Sequence, residues 1–208
     1  MSQEKFIVIE GLEGAGKSTA VNVIKDFLQK SDKAEIVQCR EPGGTKLGET
    51  IRDLVKSNSY NEKIDPRTEL LLMYASRIQL VENVIKPALN SGKSVICDRF
   101  YYSTYAYQGG GRGIDLKIID SIHSASLGDF KPTLTVYMDI DPKIGLQRAA
   151  VRGELDRFEQ EKIEFFNKTR AMYLKMASES GEVKTVDASR SIEEVAEQVR
   201  QILQDSEL

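Results

Sequence analysis

The sequence predicts an α/β fold in which a mainly parallel sheet is covered by helices on both faces. Short β-rich runs alternate with stretches of helical periodicity from end to end of the chain. A glycine-rich segment, residues 11–18, follows directly on the apolar run Phe6-Ile7-Val8-Ile9 and leads into a helical pattern. No repeat or linker divides the 208 residues, so a single domain over residues 1–208 is expected.

The first strand is expected at residues 6–10. Ala20, Val21, Ile24, Phe27 and Leu28 then make one apolar stripe of a covering helix. A second strand is expected at 35–40, followed by a tight loop at Gly43-Gly44. The longest helical segment starts with Asp65 as N-cap and Pro66 in its first turn, and ends near Asn90-Ser91-Gly92. Leu70, Met73, Arg77, Leu80 and Val84 share one face of it. Further strands are expected at 94–98, 134–139 and 183–186, with a tight loop at 109–113 and a mobile, charged surface segment at 154–164. Ile192, Val195, Ala196, Val199, Ile202 and Leu203 form the apolar stripe of the last helix.

Composition removes several function classes. The net charge of -3 arises from 32 acidic and 29 basic residues with no long basic block, so the footprint of a nucleic-acid-binding protein is missing. No stretch approaches the roughly 20 apolar residues that cross a bilayer, and residues 1–5 run straight into the first strand, leaving no room for a signal peptide. A cytoplasmic protein is expected. Cys39 and Cys97 lack C-x-x-C spacing and read as reduced packing residues. His123 is the only histidine, which argues against Ser-His or Cys-His hydrolases and most zinc sites.

The segment GLEGAGKS matches G-x-x-x-x-G-K-[ST] between a strand and a helix, the context in which backbone N–H groups and the positive helix end converge on one phosphate. Gly11 and Gly16 permit close backbone approach, Lys17 reaches the β and γ phosphates, and Ser18 offers its hydroxyl to Mg²⁺. A turn that merely links strand to helix is the plainer alternative. Asp98 closes an apolar strand, where a metal-organising carboxylate belongs, and Arg99 follows it into the same crevice; a surface ion pair is the rival reading.

Arg77 alone breaks the apolar stripe of the long helix. Either it snorkels at the rim of the core, or Met73 and Arg77, one turn apart, face a planar ligand together. Five of the chain's fifteen aromatic residues fall within residues 100–107, suggesting a pocket for a base and its sugar or the packing of a short helix on the sheet. Arg40, Glu41 and Arg52 surround a Pro-Gly-Gly turn beyond another strand end. Several arginines converging on one crevice imply an anionic acceptor. A phosphate monoester is already mostly ionised at pH 7 and attacks the γ-phosphorus without a general base, so the lack of a catalytic histidine is no obstacle.

Arg148, Arg152 and Arg157 surround Gly153 in a charged stretch that reads either as an exposed helix face laced with ion pairs or as a lid, about residues 148–160, whose arginines neutralise a transferring phosphoryl group. The phosphate loop has no cation at its variable positions, so that arginine must come from elsewhere.

In order along the chain stand FIVIEGLEGAGKST, REPGGTKLGETIRDL, LLLMYASR, CDRF, STYAYQGGGRG, RGELDRFE and TVDAS. Together these segments resemble the thymidylate kinase family over nearly the whole length. The resemblance implies a P-loop kinase fold, three layers α/β/α around a five-stranded parallel sheet, a homodimer, and conversion of dTMP to dTDP with ATP and Mg²⁺. Carried over, ATP would lie against Gly11, Leu12, Glu13, Gly14, Ala15, Gly16, Lys17, Ser18 and Thr19, with Arg148 and Arg157 from the lid and Ala188, Ser189 and Arg190 beside adenine. Glu13 would contact the sugar 3'-hydroxyl of dTMP, Arg99 its phosphate and Arg77 the thymine carbonyl. Arg40, Glu41, Pro42 and Arg52 would frame the acceptor phosphate, while Ser103, Thr104 and Gln108 line base and sugar and Tyr107 crowds the place of a ribose 2'-hydroxyl. Ser18 and Asp98 would hold Mg²⁺, and Lys17, Asp98, Arg99 and Arg152 would carry the catalysis, with Arg152 as charge stabiliser in the manner of the bacterial branch.

The chain departs from the family at Met73, where a phenylalanine usually stacks on thymine, and at Ala150, often an arginine in the lid. A deoxynucleoside kinase would share the phosphate loop but needs a carboxylate base and fewer arginines. A guanine-nucleotide switch would need N-K-x-D, and the chain offers only Asn167-Lys168-Thr169-Arg170.

Overall fold

The chain's strand runs are apolar without alternation at residues 6–9, 95–97 and 136–138, as strands buried on both faces require, and mixed at 36–40 and 183–187. In the computed structural model, which describes residues 4–32, 35–151 and 156–206, they become β1 (Phe6–Gly11), β2 (Ile36–Arg40), β3 (Ser94–Asp98), β4 (Leu134–Asp139) and β5 (Val183–Asp187). All pair in parallel, in the order β2-β3-β1-β4-β5. The expected strand ends shift by one residue at most.

Alternation along β1 divides the core. Ile7 and Ile9 pack in the cluster that holds Ala20, Ile24 and Leu28 of α1 (Lys17–Asp32), while Phe6 and Val8 join Val95, Cys97, Leu80 and Ile85 in the other. Val21 and Phe27 of the predicted stripe are only partly buried at its edges. The chain continues through α2 (Lys46–Lys56), whose N-cap Thr45 accepts from Gly48 N. The long helix begins as expected, with the Asp65 side chain accepting from Arg67 N ahead of Pro66.

That helix is not uniform. It runs as α3 (Pro66–Leu80), a π-helical turn Val81–Ile85, and α4 (Lys86–Asn90). The wider π turn shifts the buried face by one residue, so Leu80 and Val81 are both buried and Val84, expected on the stripe, is only partly covered.

The glycine segment predicted as a tight loop differs more. After α5 (Tyr101–Thr104), residues Tyr105–Gly111 form a second π-helical segment packed on α8 (Ile163–Glu179). Its glycines act by size: a Cβ on Gly111 would stand 2.4 Å from the Phe165 ring. Of the glycines at residues 109–113 only Gly113, which lies beyond the π-helical segment, takes a positive φ.

The remaining helices are α6 (Leu116–Leu127), α7 (Pro142–Ala150) and α9 (Ile192–Asp205), the last opened by a Ser191–Glu194 capping box. Val195, Ala196, Val199 and Leu203 of the expected stripe are buried, whereas Ile192, in the helix's first turn, is 68% exposed. Among the described residues no helix is long and apolar enough to cross a membrane.

The segment expected to be a mobile surface is anchored over its described part. Phe158 is buried, Asp156 pairs with Lys56, and Arg157 donates to Val55 O at 2.7 Å. An aromatic ring within a charged run supplies the anchor that the composition of the run hides.

Candidate active site

The carboxyl ends of β1 and β3 lie side by side, with Ile9 opposite Asp98 in the register, and the loops that leave them build the site. From β1 the chain turns through Gly14 at φ 72° and Gly16 at φ 77° into α1. At Gly14 a Cβ would lie 2.1 Å from the Gly145 carbonyl oxygen, so the loop rests directly on α7. Lys17 Nζ donates to the carbonyls of Gly11 and Leu12 at 3.3 and 3.1 Å. Burial and the neighbouring Arg99 charge push Lys17 down to about 8, against the opposing pull of Asp98, Glu13 and Glu10.

Arg99 leaves β3 at φ 72°, a left-handed conformation unusual for a residue with a side chain. Its Nη2 donates to Glu13 Oε1 at 2.6 Å and to Tyr107 Oη at 3.1 Å, and Nη1 to Ser103 Oγ at 3.3 Å. Tyr107 Oη donates to Glu13 Oε2 at 2.7 Å. Burial opposes the charge on Glu13, but Arg99 and Lys17 outweigh it and hold the carboxyl below its usual value.

Beneath this layer Glu10, fully buried, accepts from Phe100 N at 2.8 Å, Ser103 N at 3.1 Å, Ser103 Oγ at 2.6 Å and Tyr173 Oη at 2.8 Å. It grips the first turn of α5 and so sets where Arg99 and Ser103 stand. Burial raises its pKa against those hydrogen bonds and Arg99. Sequence reasoning missed Glu10; its signal was a carboxylate closing an apolar strand, the same signal that singled out Asp98.

Arg77 is buried, which excludes a snorkelling role at the core's rim. Its Nε donates to Glu41 Oε2 at 2.7 Å and its Nη2 to Phe100 O at 3.2 Å, and its guanidinium lies 4.8 Å from the Tyr74 ring centre. Burial pushes Glu41 up to about 7 although Arg77 pulls it down. Arg40 pairs with Glu49, its Nη1 and Nη2 donating at 3.1 and 2.8 Å, while Arg52 Nη1 donates to Pro42 O at 2.9 Å.

These side chains enclose a cleft of about 190 Å³. Glu13, Arg40, Glu41, Pro42, Arg52 and Met73 line it together with Arg77, Arg99, Ser103, Thr104, Tyr107 and Gln108, and Lys17 and Asp98 close its phosphate-loop end. Every residue that the sequence assigned to an acceptor therefore faces one space. Of the five clustered aromatics only Tyr107 does; Phe100 and Tyr101 pack in the core, and Tyr102 and Tyr105 against it. A second space of about 330 Å³ lies beyond the phosphate loop, lined by Gly14, Ala15, Gly16 and Thr19 on one side and Arg148, Ala188, Arg190 and Ile192 on the other.

Among the described residues, the buried side-chain polar atoms without a hydrogen-bond partner are Glu41 Oε1, Arg77 Nη1, Asp98 Oδ1 and Thr104 Oγ1. All four residues line the first cleft. Such atoms are rare in folded proteins because each costs about 1–3 kcal/mol, and their convergence marks a place prepared for polar groups of a ligand.

The family model described as "Thymidylate kinase" matches residues 9–199. A protein titled "Thymidylate kinase" from Vibrio vulnificus (strain YJ016) is 55% identical over 203 residues, covering 98% of this chain and 96% of its own. Relatives of the same title come from Shewanella sp. (strain MR-4), 54% identical over 96% of this chain and 95% of theirs, and Vibrio parahaemolyticus serotype O3:K6 (strain RIMD 2210633), 52% identical over 98% and 97%.

The chain belongs to the thymidylate kinase family. It is a kinase with the P-loop α/β fold, and the two spaces flanking the phosphate loop are where a nucleotide donor and acceptor of such an enzyme are to be sought. Within this thymidylate kinase fold Gly11 and Leu12 contribute carbonyls to Lys17, with the Leu12 side chain in the core, and Ser18 is exposed at the start of α1. Arg148 Nη1 donates to Ala188 O at 3.1 Å beside the second space. Arg157, expected against ATP, instead points to Glu69 and lines neither space. Arg152 lies outside the described residues.

Proposed function

We propose that the protein transfers the γ-phosphate of ATP to dTMP, giving dTDP and ADP. The observation that carries this reading is the convergence of unpartnered buried atoms, Glu41 Oε1, Arg77 Nη1, Asp98 Oδ1 and Thr104 Oγ1, on a cleft that also holds Lys17 and Arg99. A donor on Arg77 and a hydroxyl on Thr104 suit the edge of a pyrimidine base, and Met73 beside them supplies a soft apolar surface for its face. Glu13, held by Arg99 and Tyr107, is the acceptor for a sugar hydroxyl, and Tyr107 fills space that a 2'-hydroxyl would need.

In this reading Arg99, with Arg40 and Arg52 nearby, binds the acceptor phosphate and aims one of its oxygens at the donor. Lys17 and the backbone N–H groups of residues 11–19 hold the donor's β and γ phosphates, with Arg148, Ala188, Ser189 and Arg190 toward adenine. The acceptor oxygen is ionised already, so no side chain has to remove a proton, and catalysis rests on alignment and charge neutralisation. Arg152 of the lid, about residues 148–160, is the stabiliser of transferring charge.

Asp98 Oδ1, buried and unpartnered, and the exposed Ser18 fit a hard divalent cation that takes most of its ligands from phosphate and water. When bound there, Mg²⁺ would neutralise charge on the β and γ phosphates. The proposal extends to a single-domain cytoplasmic homodimer.

A coupled assay with ATP and dTMP, dUMP or thymidine tests the reading. Turnover fastest with dTMP and absent with thymidine is expected; preference for thymidine, or ATP hydrolysis without transfer, would overturn it.

A further inference from the structure

Glu69 of α3 is fully buried, and none of the roles above uses it. Its Oε1 accepts from Gln108 Nε2 at 2.8 Å and Arg112 Nε at 3.2 Å, and its Oε2 from Arg112 Nη2 at 3.1 Å and Arg157 Nη2 at 2.5 Å. One carboxylate thus gathers donors from the π-helical segment Tyr105–Gly111, from the residue that follows it, and from the stretch ahead of α8. Arg112 also pairs with Glu161, so the buried charges balance.

The two arginines hold a ring between them and the cleft. The Arg157 guanidinium lies 4.4 Å and that of Arg112 5.8 Å from the Phe158 ring centre, and Phe158 in turn meets the Tyr107 ring edge to face at 6.1 Å. Gln108, Tyr107, Phe158 and Glu159 all line the acceptor cleft. Glu69 therefore reaches one ligand space by two routes, directly through Gln108 and through its arginines by way of Phe158, while Arg112 also lies 4.6 Å from the Phe165 ring and Arg157 donates to Val55 O. An ion cluster retained only for stability has no reason to do so, since apolar packing serves stability as well.

We infer that Glu69 is a positioning residue for the acceptor: through Arg112 and Arg157 it seats Phe158 as a wall of the acceptor cleft and orients Gln108 beside it. The inference rests on the reading of that cleft as the dTMP site. It concerns how tightly the acceptor is held, since Glu69 touches neither the phosphate loop nor Arg99.

The full chain is assayed at steady state with ATP and dTMP as wild type, Glu69→Gln, Arg157→Met, Phe158→Leu and the Glu69→Gln/Arg157→Met double variant. The KM for dTMP is expected to rise about tenfold in each single variant while the KM for ATP stays within about twofold and kcat within about threefold. The double variant should be no worse than the worse of its two single variants, because both cut the same chain of contacts. Should Glu69→Gln fail to fold, Arg157→Met keeps the Glu69–Arg112 pair and Phe158→Leu keeps the whole ion cluster, and either one decides the matter. An unmoved dTMP KM in both, or equal rises in the KM of dTMP and ATP, overturns the inference. Wild-type turnover of dTMP in the same assay is the separate check on the functional reading: its absence removes both, whereas normal wild-type turnover with unmoved variants removes only this inference.

Discussion

Glu41 and Arg77 form a buried ion pair, Nε to Oε2 at 2.7 Å, in which each partner keeps one polar atom without a hydrogen bond. Removing one partner of such a pair strands the other charge away from water. Arg77→Met, which leaves the Glu41 carboxyl buried without its cation, is expected to lower stability at neutral pH by about 3 kcal/mol, read by chemical unfolding, and to raise the dTMP KM.

The pair also predicts a pH dependence. The folded state raises the Glu41 pKa from 4.5 to about 7, because burial outweighs Arg77. The folded chain then binds more protons than the unfolded chain between those values, so this group's contribution favours folding at low pH and is lost as pH rises through the window. Melting temperatures of wild type and Glu41→Gln from pH 4.5 to 8 should differ in slope in that direction, the variant lacking the falling component.

Lys17 gives the opposite case on the donor side. Its folded pKa, about 8 against 10.5, means that the free enzyme loses the loop's cation as pH rises past about 8. The kcat/KM for ATP, which reports the free enzyme, should fall along a limb near that value, and the limb should move upward in kcat, because bound phosphates favour the charged lysine. Lys17→Ala should abolish transfer. By linkage, lysine with a lowered pKa makes stability rise with pH between about 8 and 10.5, so a thermal-melt series should show a component of that sign.

Arg99 carries both strain and chemistry. At φ 72° the backbone suits glycine, so Arg99→Gly should be more stable than Arg99→Ala by about 1 kcal/mol. Both should raise the dTMP KM at least about tenfold, the loss of one charge-assisted contact, and leave ATP binding intact. Equal stability of the two variants would contradict the strain; unchanged kinetics would contradict the role.

Gly111→Ala should destabilise the chain by about 1–3 kcal/mol, since its Cβ would meet the Phe165 ring at 2.4 Å. A melting temperature equal to wild type would show that the π-helical segment does not press on α8 as described.

These cases mark how far the residues could be read in advance. Strands such as residues 94–98 were legible because a continuous apolar run has few other uses, and the phosphate loop because its glycines, lysine and serine stand at fixed spacing. Arg77 was noticed for breaking a stripe, yet its partner Glu41 stands 36 positions away, and no spacing rule joins them. The π turns were illegible, since a one-residue shift in a helical face looks like imperfect periodicity. Glu69 was hidden for the same reason as the pairing of Glu41 with Arg77: its partners Gln108, Arg112 and Arg157 come together only through tertiary packing. Phe158 lay unnoticed in a run whose charge suggested solvent.

Under the proposed function two nucleotide sites meet across Lys17, Asp98 and Arg99. Calorimetric titration with dTMP and with a non-hydrolysable ATP analogue, singly and in sequence, tests it most directly. Two independent sites per chain are predicted, with Arg99→Ala losing only the dTMP site. One site per chain, or competition between the two ligands, would contradict it.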